Sequence, residues 1–203
     1  MKQNSVTAVW MGAAFATAVG LAAITLAVSD FATTALGRAL CVTTRFSFLL
    51  FWVTYTGGAL KTLFGVAFQP VAWRGRDFGL AFAAAHLVNI GLFVWLCRIS
   101  AQPPLSPPVF WFLAIGTIWI YVVALLSIRR LARAIGYLRW RMLRVAGMEY
   151  ISLTFLLTFV GHRLHGSASG ILLYVPFATL SLAGSFLRLT AWASRGAIAT
   201  KRA

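Results

Sequence analysis

The residues of this sequence whose side chains can do chemistry lie inside long apolar runs. His86 stands in the segment 83–89, AAAHLVN, near the middle of one such run, and Lys61 and Glu149 lie within two others. A charged side chain at the centre of a membrane span costs about 2.5–3.5 kcal/mol on insertion scales. Each of these residues therefore needs a partner or a function.

His86 has two interpretations. A neutral imidazole inside an apolar helix bundle is a suitable axial ligand for haem iron, because its nitrogen binds the metal without burying a charge. The alanines before it would let a flat macrocycle, or equally another helix, approach closely. The alternative is a neutral histidine that hydrogen-bonds to a neighbouring helix.

Lys61 and Glu149 are predicted to lie in the same half of the bundle, where they could form an ion pair, and Arg188 is a competing partner for Glu149. One interpretation is structural: the pair fixes how helices pack. The other is functional: Glu149 relays protons or contacts a quinone.

The elements that position these residues are apolar helices. Of the 203 residues, 61% are hydrophobic, whereas soluble domains are about 45–50% apolar. A span needs about 20 apolar residues. We therefore predict an all-α fold, a single transmembrane domain over residues 1–203, with about six spans at residues 6–28, 41–68, 78–97, 109–128, 145–160 and 171–189. The first span is expected to be a retained helix, since its apolar run is longer than that of a signal peptide.

Charge gives the predicted orientation. The chain has 18 Lys and Arg against 3 Asp and Glu, a net charge of +15, which in a soluble protein would suggest a nucleic-acid partner. Here the cations are concentrated between apolar runs, so we predict the lipid bilayer as partner and no nucleic acid. One side of the predicted topology carries 12 of the cations and the other side 3, which places both termini in the cytoplasm, with the bacterial inner membrane as the expected location.

Three segments carry a family resemblance. They are residues 44–52 with 56–60, residues 74–80 leading into His86, and residues 140–144 followed by Tyr150. Together they resemble the ferric reductase-like transmembrane domain family, which includes the haem-binding membrane subunit of bacterial methionine sulfoxide reductase systems. The resemblance covers roughly residues 36–160.

What the resemblance implies is a six-helix bundle that holds b-type haem and passes electrons across the membrane, with axial histidines on the third and fifth helices. His86 matches the third-helix position, whereas Arg144 stands where the family often has a histidine, and residues 151–160 contain none. Three alternative cations on the outer side could meet haem propionates, namely Arg45, Arg98 or Arg163.

Three functions follow as hypotheses. The first is a membrane electron-transfer component, with haem b on His86 and electrons from quinol or a partner reductase subunit. No Gly-rich dinucleotide fingerprint is present, so the chain is expected to have no flavin or nicotinamide domain. The second is a non-catalytic assembly or interaction subunit that keeps the bundle without haem. The third, a small-molecule permease, is disfavoured because no spans show paired Gly/Pro interruptions.

Overall fold

The chain folds into long helices. The computed structural model describes residues 2–28, 32–127, 136–164 and 168–200, and within these ranges it contains no strand. The predicted all-α class is confirmed for this part of the chain. The helices are α1 (Lys2–Ala27), α2 (Ala32–Phe64), α3 (Gln69–Trp73), α4 (Gly75–Ile99), α5 (Pro107–Leu126), α6 (Tyr137–Leu164) and α7 (Ala168–Thr200), with a 3-10 turn at Gly65–Phe68.

Five stretches of the described residues are long and apolar enough to cross a membrane. Their mean hydropathies run from 1.3 to 2.4, and they are Ser5–Ala27, Thr33–Trp73, Gly75–Ile99, Pro107–Leu126 and Tyr137–Gly161. These lengths are consistent with an integral membrane protein. The helix α7 overlaps the sixth predicted span but is not one of the five, so the count of six remains a prediction.

Several helix ends differ from the predicted spans, and two of these differences have a clear physical reason. The helix α2 ends at Phe64 instead of continuing to residue 68, because Gly65 adopts φ +75°, a left-handed conformation that suits glycine and ends helices. The helix α6 begins at Tyr137, before the predicted start at residue 145. Its first turns carry Trp140, whose Nε1 donates a 2.7 Å hydrogen bond to the Leu126 carbonyl at the end of α5.

Paired contacts give the relative directions of the helices. Thr7 bonds to Asp77 and the Trp10 ring packs on Phe78, so α1 runs parallel to α4. The α2–α4 connection consists of the 3-10 turn and α3, and the contacts of Phe51 with Phe82 and of Ser47 with Asn89 follow opposite chain directions, so these two helices are antiparallel neighbours. We call the end of the bundle where α4 begins and α2 ends the Gly75 end.

The helices α6 and α7 pack on the other side of α2. The Phe48 ring packs on Phe159 and the Phe51 ring on Phe155, so α6 is antiparallel to α2. Trp52 Nε1 donates a 2.7 Å hydrogen bond to the Leu180 carbonyl of α7. The helix α2 therefore lies at the centre of the bundle, in contact with α1, α4 and α7 and, through its aromatic side chains, with α6.

Aromatic rings fill the interior between α2, α4 and α6. Neighbouring ring centroids are 5.0 to 6.0 Å apart, a separation at which aromatic pairs attract one another. The column consists of Phe48, Phe51, Tyr55, Phe82, Phe155 and Phe159, all at most 6% exposed.

Candidate functional site

The helix α4 presents His86 and its neighbours on one face. Phe82, His86 and Asn89 follow one another at helical spacing, which places their side chains above one another. His86 is half-buried, and its ring centroid lies 5.8 Å from that of Phe82. His86 therefore lies beside the aromatic column, next to Phe82.

Asn89 connects His86 to α2. The Asn89 side chain is 5% exposed, and its Nδ2 donates a 3.1 Å hydrogen bond to Ser47 Oγ and lies 3.3 Å from His86 Nδ1. In this arrangement Nδ1 accepts the bond, and the ring proton lies on Nε2. Asn89 Oδ1 is buried without a hydrogen-bond partner, which is costly in an apolar interior.

The alanines near His86 bring a second helix close. Ala81 and Ala85 of α4 form a buried cluster with Ala14 and Ala18 of α1. The sequence allows either a macrocycle or another helix to approach these alanines, and in the structure the helix α1 packs against them. Small residues let helix backbones approach closely in membranes.

A small cavity lies near the Gly75 end between α2, α4, α5 and α6. Its volume is about 20 Å³, and its wall includes Thr54, Gly79, Ser127 and Arg144 but not His86. A space of this size holds about one water molecule. Arg144 thus borders a cavity that is far too small for a macrocycle.

Glu149 is the centre of a polar cluster that joins three helices. Its Oε1 lies 2.9 Å from Arg188 Nη2 on α7, and its Oε2 accepts a 2.6 Å hydrogen bond from the Tyr55 hydroxyl on α2. The Arg188 guanidinium stacks 4.4 Å above the Tyr55 ring centroid. Ser185 Oγ lies 3.4 Å from the same hydroxyl. We call these four residues the Glu149 cluster.

The predicted pairing of Lys61 with Glu149 is wrong in this structure. Glu149 pairs with the competing partner, Arg188. Lys61 is exposed near the end of α2 and makes no ion pair within the described part of the chain. The physical reason is reach: Arg188 lies on α7, beside the α6 helix that carries Glu149, and its planar guanidinium contacts the Tyr55 ring while it binds the carboxylate.

Arg45 lies toward the opposite end of α2. Its guanidinium carbon is 4.8 Å from the Tyr174 ring centroid and 5.5 Å from that of Phe177, so aromatic faces stabilise the cation. The Tyr174 hydroxyl lies 3.1 Å from Cys41 Sγ. Arg45 Nε is buried without a partner, and no acidic side chain pairs with this guanidinium among the described residues.

The remaining site predictions concern Arg98, Arg163 and a metal. Arg98 is exposed on the last turn of α4, while the side chain of Arg163 lies outside the described residues. No group of three or more His, Cys, Asp or Glu side chains that could hold a metal occurs among those that the structure describes.

The sequence interpretation missed Tyr55 and Ser185. A signal was present, because Ser181, Ser185 and Arg188 follow the spacing of one helical face of α7. Polar side chains on one face of an apolar helix indicate a polar contact with a neighbouring helix. The partner helix was not predictable from that pattern.

Comparison of the chain with protein-family models, with curated proteins and with solved structures found no match. The resemblance to ferric reductase-like transmembrane domains therefore remains a prediction from short motifs.

Proposed function

We propose that this chain is a membrane electron-transfer component that binds b-type haem through His86. The observation that carries the proposal is the position of His86 beside the aromatic column, with its Nδ1 at 3.3 Å from the buried amide of Asn89. Metal-binding histidines are commonly oriented by a hydrogen bond at the nitrogen that does not bind the metal. The haem, when bound, would supply one-electron chemistry, with electrons arriving from quinol or from a partner reductase subunit.

The residues around His86 fit the donor chemistry of one axial position. Coordination through Nε2 requires the ring proton on Nδ1, and the unpartnered Asn89 Oδ1 would accept a hydrogen bond from this N–H if the amide turned. A single proximal histidine is enough for haem binding in several protein classes. In this proposal Asn89 orients the ring and Ser47 holds Asn89 in place.

The proposed function also includes a membrane topology. We infer six membrane spans, α7 being the sixth, with both termini on the cytoplasmic side of a bacterial inner membrane. The asymmetry of 12 cations against 3 supports this orientation. A reporter that is active only in the cytoplasm, fused after residue 203, is expected to be active. Activity of a reporter that works only outside the cytoplasm, fused at the same position, would contradict the topology.

An absorption spectrum of the purified full chain tests haem binding. We expect a Soret band that shifts when dithionite is added and that is lost in His86→Ala, while circular dichroism shows that the helices remain. The control is Leu87→Ala, since Leu87 is the next residue and is exposed on α4. A folded wild-type protein without a Soret band, after expression with haem precursor, would refute the proposal.

A second candidate function is a non-catalytic assembly subunit that keeps the bundle without haem. It is favoured by the filled interior: aromatic rings occupy the space between α2, α4 and α6, and Ala81 and Ala85 already pack on α1. In that case His86 is the histidine that hydrogen-bonds within the bundle. The colourless folded protein that refutes haem binding is the result that this second candidate expects.

A further inference from the structure

The Glu149 cluster reaches the outer surface of the bundle. The Glu149 side chain is 49% exposed and that of Arg188 is 25% exposed, although Tyr55 beneath them is 3% exposed. On α6 the exposed positions near Glu149 are apolar: Val145, Leu153 and Leu157. On α7 they are Leu182, Phe186 and Leu189. An ion pair therefore lies within an otherwise apolar surface.

The position of the pair along its helices places it below the membrane interface. Tryptophans are enriched at membrane–water interfaces, and Trp140 on α6 and Trp192 on α7 both lie nearer to the Gly75 end of the bundle than the ion pair does. Glu149 lies about 13 Å along the helix from Trp140, and Arg188 about 6 Å from Trp192, at the rise of an α-helix. The exposed carboxylate edge thus faces the hydrocarbon region.

A carboxylate in the hydrocarbon region needs a neighbour that shields it from lipid. Ionisable residues inside membranes almost always face the bundle interior or a water-filled cavity, because lipid chains cannot solvate them. Glu149 pairs with Arg188 of its own chain, yet about half of the Glu149 side chain remains exposed. A partner with a single cation would satisfy Glu149 and bring a like charge close to Arg188.

We propose that a second copy of this chain covers the Glu149 cluster, through a two-fold contact between the α6–α7 faces. In a two-fold interface residue i contacts residue j and residue j contacts residue i. Glu149 of one copy then meets Arg188 of the other copy, and the reverse, so that two neutral pairs close into a ring of four charges. The apolar residues Leu153 and Phe186 pack around this ring.

A charge-swap experiment tests the exchange of partners. The variant with Glu149→Arg and Arg188→Glu keeps one acid and one base within each copy, so it is expected to pair with itself. Mixed with the wild type, it places Glu against Glu and Arg against Arg across the contact. Like charges across an interface suppress the wrong partner.

The measurement uses the full chain with two different affinity tags, co-expressed and purified in lipid nanodiscs. Two differently tagged wild-type copies should give random pairing, with mixed dimers on the order of half of the total. We expect the mixed share of wild type and swap variant to fall at least about tenfold below this value. A random mixed share, or wild-type particles that hold one copy, would overturn the proposal.

Disulfide cross-linking keeps the proposal testable if the swap variant fails to pair with itself. In a background with Cys41→Ser and Cys97→Ser, Leu153→Cys is expected to cross-link two copies in native membranes. Ile118→Cys, exposed on α5, is the matched control and should stay uncross-linked. Equal cross-linking at the two positions would show random collision of copies, and none at Leu153→Cys would mean that lipid or another protein covers the cluster. Either result would overturn the proposal.

Discussion

Tyr55 on α2 donates a hydrogen bond of 2.6 Å to Glu149 Oε2 on α6. Tyr55 is buried beneath the carboxylate, and Arg188 of α7 stacks on its ring. One phenol thus connects the central helix with both helices on one side of the bundle. Because the acceptor is ionised and the donor is out of water, this bond should be among the stronger ones in the chain.

Replacing Tyr55 by Phe should lower the stability of the protein. The change leaves the aromatic ring in the column and removes only the hydroxyl, so that Glu149 Oε2 loses its donor. We expect a loss of about 1–2 kcal/mol in the free energy of unfolding, the range for hydrogen bonds to charged groups and for polar contacts in membranes. Thermal unfolding in detergent, followed by circular dichroism, measures it.

The matched control for this change is Tyr137→Phe. Tyr137 is 72% exposed at the start of α6. Its loss should change stability by less than about 0.5 kcal/mol. Equal effects of the two variants would show that the Tyr55 hydroxyl contributes nothing specific.

A double-mutant cycle should find Glu149 coupled to Arg188. We expect a coupling of about 1 kcal/mol between Glu149→Gln and Arg188→Gln, since polar pairs within membrane bundles average about 0.6 kcal/mol and reach about 1.7. The cycle of Glu149→Gln with Lys61→Gln should give no coupling. Coupling to Lys61 in place of Arg188 would restore the pairing predicted from the sequence and contradict the structure.

The sequence predicted the helices well and their contacts poorly, for reasons that these residues show. Length and hydropathy are local properties, so five apolar stretches were placed without knowledge of any neighbour. Glu149 was correctly singled out because a carboxylate in an apolar run needs a partner. Which cation pairs with it depends on how α6 and α7 lie side by side, and that is a non-local property.

The His86 segment shows a similar limit. The alanines around it allow either a cofactor or a helix to approach, and the choice depends on where α1 packs. In the structure Ala18 and Ala85 belong to the same buried cluster. Nothing in the pattern of α4 itself contains this information, because small residues are compatible with any close neighbour.

The contact between α1 and α4 predicts the effect of enlarging one alanine. Ala18 is 0% exposed, so Ala18→Leu inserts three carbons into a filled space and should destabilise the protein by about 1–3 kcal/mol. The measurement is the midpoint of thermal unfolding. Ala16→Leu, on the exposed side of the same helix, is the control and should have little effect. Equal midpoints would mean that α1 does not pack on α4 through this face.

Gly147 lies where α5 and α6 approach each other closely. A Cβ atom at Gly147 would lie 2.6 Å from Val123 Cγ2 and 2.7 Å from Trp119 Cε3, both on α5. These distances are too short for carbon atoms, so Gly147→Ala forces the side chains of Val123 and Trp119, or the two helices, to move apart. We expect a loss of about 1–3 kcal/mol in the free energy of unfolding, as for other overpacked contacts.

The control for Gly147→Ala lies on the same helix. A Cβ atom at Gly161 would meet no other atom within 4 Å. Gly161→Ala should therefore stabilise the helix by about 0.5–1 kcal/mol, because alanine loses less backbone entropy on folding than glycine. Opposite signs for the two variants, measured by thermal unfolding in the same detergent, are the expected result. A gain in stability for Gly147→Ala would mean that α5 and α6 are further apart than the structure places them.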